Sequence, residues 1–212
     1  PDRAGPTVHV RVSVRRVRTV ASAMGSNSSF NIDELISSNH LVNYVETGTG
    51  MGGCLAHALK FPFKRCVSVD VDEEFYNDAK LKYPSCELHL GESLGMLREV
   101  LPTLEGNTLF FLDAHFPGAD FKGEEYGLCK DEDRRIPLQR ELEIICKYRK
   151  GMADVLLIDD LRIYMDGPFQ NGTWAERPTA GSSKSGFIFD ILTELGKSIY
   201  VDYRDEGYVL GT

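Results

Sequence analysis

The chain has 212 residues, 42% hydrophobic and 26% charged, which is the size and make-up of one large globular domain with a single core. A net charge of -8 and a pI near 5.2 argue against a general nucleic-acid binder, because neutralising phosphates needs a basic face that an acidic chain rarely carries. The five cysteines are odd in number and hold no CxxC pair, so they predict neither a disulfide framework nor a zinc site and point to a reducing cytoplasm; no apolar run approaches the roughly 20 residues that cross a bilayer.

Residues 1–24 stand apart, with Arg3, Arg11, Arg15, Arg16 and Arg18 against the single acid Asp2. They read as a tag or vector-derived extension, Ala23-Met24-Gly25-Ser26 resembling a cloning junction, although the alternation Val8, Val10, Val12, Val14 can form an opportunistic strand. Residues 25–212 are expected to form one domain. Asn31 or Asp33 can cap a short helix through Ile36, and strands are predicted at Leu41 to Glu46, Cys66 to Asp70 and Cys86 to Leu90. Helices follow each strand: through Leu59, over Glu73 to Leu81, and over Ser93 to Leu101. Leu109 to Asp113 and Val155 to Asp160 are apolar runs that end in acids. The stretches 116–135 and 167–185 are charged or irregular and read as lid loops, with Tyr164, Phe169 and Trp174 near the second. Pro137 opens a helix with the stripe Leu138, Leu142, Ile145; a last helix covers Phe187 to Leu195, and Ser198 to Gly211 reads as a β-hairpin. The alternation of strand and helix predicts an α/β sheet wound on both faces, whose ligands sit beyond the carboxyl ends of the strands.

Glu46-Thr47-Gly48-Thr49-Gly50-Met51-Gly52-Gly53 lies between a strand and a helix, so its backbone can approach a nucleoside cofactor closely. Gly48, Gly50 and Gly53 also satisfy GxGxxG, and Asp70 stands near the distance of a ribose-binding acid, which keeps a nicotinamide cofactor open. Glu46 favours another donor: a carboxylate there repels a pyrophosphate but can accept from the ammonium of S-adenosylmethionine. Glu46, Gly48, Thr49, Gly50 and Gly52 then form the cofactor loop, Asp70 takes the ribose hydroxyls, and Glu92 and Ser93 border the adenine.

Val45 to Gly52, Val67 to Asp70, Leu90 to Ser93 and Leu112 to His115 resemble the successive motifs of class I S-adenosylmethionine-dependent methyltransferases, over residues from about 41 to the end. The resemblance implies a Rossmann-like, doubly wound seven-stranded sheet of order 3-2-1-4-5-7-6 with an antiparallel last strand. Asp113, Asp159 and Asp160, at the ends of the fourth and fifth strands, would repel one another without a partner, and a hard divalent cation such as Mg²⁺ is the simplest one. The layout is similar to metal-dependent small-molecule O-methyltransferases of the catechol type and, more closely, the macrocin-type sugar enzymes, where an Asp on the fourth strand and an Asp-Asp pair on the fifth hold magnesium. Leu157-Ile158-Asp159-Asp160 matches that pair. The fourth strand departs from the pattern: Asp113-Ala114-His115 replaces Asp-Gly-Asp, so His115 falls where a base is expected, although it also suits metal ligation or a bond to the next loop.

These readings combine as metal-assisted methylation of an oxygen on a small hydroxylated acceptor, a sugar or a catechol-like molecule, with His115 and Asp113 catalytic and Asp113, Asp159 and Asp160 holding the metal. The rivals are an NAD(P)-dependent oxidoreductase and a non-catalytic nucleoside-binding module. The expected partners are the small-molecule acceptor and a second copy of the chain in a homodimer, with neither nucleic acid nor membrane.

Overall fold

The structure is a computed structural model that describes residues 11–12, 26–115, 135–170, 172 and 185–212. The two expected lids fall largely outside these residues, as do Trp174 and most of residues 1–24.

Strands β1 (Arg11–Val12), β2 (Leu41–Thr47), β3 (Arg65–Asp70), β4 (Glu87–Leu90), β5 (Asn107–Leu112), β6 (Val155–Ile158), β7 (Ile199–Asp202) and β8 (Tyr208–Gly211) form one sheet in the order β1-β7-β8-β6-β5-β2-β3-β4. Leaving β1 aside, this is the expected order 3-2-1-4-5-7-6, and β8 runs antiparallel to both β6 and β7. The addition is β1, whose parallel pairing with β7 makes an eighth, edge strand from the segment read as an extension.

Six α-helices are described: α1 (Ile32–Asn39), α2 (Gly53–Ala58), α3 (Glu73–Lys82), α4 (Ser93–Val100), α5 (Leu138–Arg149) and α6 (Gly186–Glu194). Their starts follow local chemistry. Asn31 Oδ1 accepts the Glu34 N–H and caps α1, while Asp72 accepts the N–H groups of Glu74 and Phe75 and caps α3. Pro137 stands at the entry of α5, where its missing N–H costs nothing. None of the described helices is long and apolar enough to cross a membrane.

Alternation along the strands splits the core in two. Val45, Val67, Val69, Phe110, Leu112, Leu156 and Ile158 face α4, α5 and α6, while Tyr44, Cys66, Leu109, Phe111, Val155 and Leu157 face α1 and α2. At the end of the sheet away from the strands' carboxyl termini, the buried Arg149 donates Nε to Asp154 Oδ2 and Nη2 to Asp154 Oδ1, both at 2.8 Å. Its remaining donors reach the carbonyls of Leu104 and Gly106, and Asp154 Oδ1 also accepts the Thr108 N–H at 2.8 Å. This pair joins the end of α5 to the starts of β5 and β6.

Candidate functional site

Because β2 to β6 are parallel, their carboxyl ends share one edge, and the chain beyond each strand stays stitched to its neighbour. Gly48 N donates to Val69 O at 3.0 Å, Gly91 N to Asp70 O at 2.8 Å, Asp113 N to Thr47 O at 3.1 Å and Asp159 N to Leu112 O at 3.1 Å.

The glycine loop lies on this edge. Gly48 has φ +85, and a Cβ there would stand 2.8 Å from the Asp113 carbonyl oxygen, so a left-handed backbone and a close approach to β5 both require glycine. Gly52 has φ +78, and a Cβ would meet the Tyr83 ring at 2.8 Å. Gly50 N donates to Asp70 Oδ2 at 2.7 Å and Asp72 N to Asp70 Oδ1 at 2.8 Å, which fixes the Asp70 carboxylate at the end of β3 with an acceptor site left on each oxygen. Ser93 opens α4 and is buried, whereas the preceding Glu92 is exposed.

Glu46, read from the sequence as the acceptor of the cofactor's ammonium, lies beneath the glycine loop. It is 0% exposed, and Tyr44 Oη donates to its Oε1 at 2.9 Å and Ser68 Oγ to its Oε2 at 2.6 Å. Asn27 Nδ2 in turn donates to Tyr44 Oη at 3.0 Å, and Thr49 Oγ1 stands 2.7 Å from Ser68 Oγ. These groups converge on Glu46 as the floor of the loop. Burial pushes its carboxyl up to about 8, against the opposing effect of the two hydroxyl donors.

The acidic cluster brings His115 together with the aspartates. Ligand atoms of Asp113, His115 and Asp160 all lie within 4.8 Å of one another, and His115 Nε2 is 2.9 Å from Asp160 Oδ2. Asp159, expected in this set, lines the same recess; it is 3% exposed and its Oδ1 accepts the Asp160 N–H at 2.7 Å. Burial and the adjacent Asp160 carboxylate push the Asp159 carboxyl well up. Burial works in the same direction on Asp160, but the hydrogen bond and charge of His115, then a hydrogen bond with Glu206 and the charge of Arg162, outweigh it and hold that carboxyl below its usual value. Asp160 has φ 52, a left-handed conformation that Asp tolerates better than most residues and that carries the chain from β6 into the turn Leu161–Ile163. Leu112, Leu138, Ile163 and Tyr164 line the recess around these acids.

One residue escaped the sequence reading. Glu141, on the buried face of α5, is 0% exposed beside the hydroxyls of Thr47 and Ser93, and burial raises its carboxyl to about 7. The signal was legible, since Glu141 lies three residues after Leu138 and so continues the apolar stripe with an acid. Tyr164, expected beside the second lid, packs edge-to-face on Phe187 and walls the recess, and burial followed by the charges of Glu141, Asp160 and Asp113 keeps its phenol protonated.

No family model matches the chain, and no curated protein matches it by sequence. Solved structures do. A protein of Staphylococcus aureus provisionally assigned as a caffeoyl-CoA O-methyltransferase superposes with a TM-score of 0.55 at 14% identity, over 85% of this chain and 79% of that one. The O-methyltransferase of Bacillus cereus in complex with SAH gives 0.52 at 12% identity, over 85% and 77%. The methyltransferase domain of bacterial CtHen1 gives 0.52 at 12% identity, over 85% and 94%. The fold is that of a class I S-adenosylmethionine-dependent methyltransferase. On this methyltransferase fold, the glycine loop and Asp70 stand at the ends of β2 and β3, and the Asp113, His115 and Asp160 cluster at the ends of β5 and β6.

Proposed function

We propose that the chain is an S-adenosylmethionine-dependent methyltransferase that moves the methyl group to an oxygen of a small hydroxylated acceptor, a sugar or a catechol-like molecule, with a divalent cation held by Asp113, His115 and Asp160. The observation that carries this reading is the convergence of those three side chains directly beside the glycine loop, where Gly48 touches the Asp113 backbone. Met51, Val71 and Leu90, exposed by 60%, 40% and 49%, add an apolar rim around Asp70 that suits an adenine ring next to a ribose-binding carboxylate.

The donor set fits a divalent cation. It offers two carboxylates and one imidazole, and Asp160 Oδ1 is buried without a hydrogen bond. The guanidinium of Arg162, with Nε 3.6 Å from Asp160 Oδ1, already offsets part of the negative charge. An imidazole in the set moves the preference from Mg²⁺ towards Mn²⁺ and later transition metals. A bound cation would supply Lewis acidity, lowering the pKa of an acceptor hydroxyl.

The residues themselves do the remaining work. Asp70 fixes the ribose, and the glycine loop brings the donor against β5. The walls Leu112, Leu138, Ile163 and Tyr164 exclude water from the acceptor oxygen. Attack by that oxygen on the methyl carbon forms the C–O bond and breaks the S–C bond, releasing S-adenosylhomocysteine and the hydroxyl proton. Because the methyl group is activated before it arrives, positioning is the main demand on the protein.

A second reading rests on the 2.9 Å contact between His115 and Asp160. Without a cation the pair is a carboxylate-oriented imidazole, and His115 takes the acceptor proton as a general base. The two readings separate in a methyl-transfer assay against a panel of sugars and catechols with labelled donor. Loss of turnover in EDTA, restored by Mn²⁺ or Mg²⁺, supports the cation; turnover indifferent to EDTA supports the base. Calorimetry with S-adenosylhomocysteine and with NADH tests the donor itself, and binding of NADH alone would overturn the methyltransferase reading.

A further inference from the structure

The glycine loop and acidic cluster leave unused a pair of thiols beneath the cofactor strands. In the parallel pairing of β3 with β4, Val67 stands opposite Glu87 and Ser68 opposite Leu88. One step back on the same register sets Cys66 opposite Cys86. Directly opposed residues on neighbouring strands project to the same face, and strands about 4.8 Å apart bring their Cα atoms within the span of a disulfide. The core confirms the shared face: Cys66 is buried in the cluster that contains Tyr44 and Phe111, and Cys86 packs against that cluster with Leu88. The two thiols are close enough to hydrogen-bond to each other.

Their exposures differ in a useful way. Cys66 is buried, whereas Cys86 is only partly covered. The contact from Cys66 also lowers the Cys86 thiol below its usual value, while Cys66 itself is pushed up. A reachable, more acidic thiol beside a sheltered one is the arrangement of an attacking and a resolving cysteine.

We propose that Cys66 and Cys86 form a reversible redox site, in which a peroxide oxidises Cys86 and Cys66 closes a disulfide between β3 and β4. In the first step the Cys86 thiolate attacks a peroxide oxygen, the O–O bond breaks, Cys86 becomes a sulfenic acid and one water leaves. In the second, Cys66 sulfur attacks the Cys86 sulfur, the S–S bond forms, the S–O bond breaks and a second water leaves. Two thiols are oxidised and one peroxide is reduced; a dithiol reductant reverses the change. Cys66 lies two residues before Ser68, which holds Glu46, and on the strand that ends at Asp70. The disulfide would therefore staple the strand under the cofactor loop to the edge of the sheet. This inference does not depend on the methyltransferase reading.

The test uses the full chain treated with a small excess of hydrogen peroxide, followed by thiol titration in denaturant and peptide mapping without reductant. The expected result is a loss of two titratable thiols per chain, a linked peptide pair containing Cys66 and Cys86, and full recovery with dithiothreitol. Cys86→Ser should retain its remaining thiols at the same peroxide dose. Cys66→Ala should stop at a Cys86 sulfenic acid that a dimedone-type probe captures; it is also the safer buried substitution, since it leaves no hydroxyl in the core. Unchanged thiols, a disulfide to Cys54, Cys129 or Cys146, or an intermolecular link would each overturn the proposal.

Discussion

At the scale of single residues, the carboxyl groups beneath the loop set how the molecule answers to pH. Glu46 is raised to about 8 and Glu141 to about 7, both chiefly by burial, from an ordinary 4.5. A raised carboxyl means that the folded state holds its proton more tightly than the unfolded one. Stability is then greatest below pH 4.5 as far as these two groups are concerned, and declines as pH rises towards 8. Urea unfolding between pH 5 and pH 9 should show a loss on the order of 6 kcal/mol, and the double variant Glu46→Gln, Glu141→Gln should flatten most of it. A wild-type curve without that decline would mean that both groups are ionised at little cost. Gly48→Ala is predicted to lose more than tenfold in S-adenosylhomocysteine affinity by calorimetry, because its new methyl meets the Asp113 carbonyl at a left-handed φ. Glu46 also shows where sequence reasoning stopped. Its place at the end of a strand was legible, but the direction of its carboxylate was decided by two hydroxyls, Tyr44 and Ser68, of which one comes from another strand.

Among the elements, the sequence marked nearly every strand and helix within a residue or two, because period and caps agree: Asn31 before α1, Asp72 before α3, Pro137 before α5. What escaped was the turn after β6. Asp160 takes a left-handed conformation and stands 2.9 Å from His115, an arrangement that no strand pattern encodes. Asp160→Asn is a fitting probe, since Asn tolerates the same backbone conformation. It should weaken Mn²⁺ binding more than tenfold in calorimetry while S-adenosylhomocysteine affinity stays within about twofold. Equal losses of both would show that Asp160 holds the fold of the site rather than a cation. At the opposite end of the sheet, Arg149→Ala removes the partner of a buried Asp154 and should cost about 3–5 kcal/mol in urea unfolding.

For the whole molecule, topology was the most readable feature, since the terminal hairpin that sends β8 antiparallel between β6 and β7 is a property of chain order. The eighth strand goes beyond the seven expected: Arg11 and Val12, in a segment whose charge separates it from the rest, pair with β7. Removing residues 1–24 should leave the thermal midpoint within about 2 °C if β1 adds only its short edge pairing, and a larger drop would make that segment part of the domain.

The stitches from Gly48, Gly91, Asp113 and Asp159 to the strand next door are made wholly by peptide groups. They form a hem along the working edge of the sheet that owes nothing to the identity of most side chains above it. A side chain such as that of Ala114 can therefore be exchanged without unpicking the edge that carries it, whereas Thr49 and His115 are tied to Ser68 and Asp160. A single change of side chain at such an untied position can redirect the chemistry of the site while leaving its frame as it was, and a lineage built on this frame can try new acceptors at small structural risk.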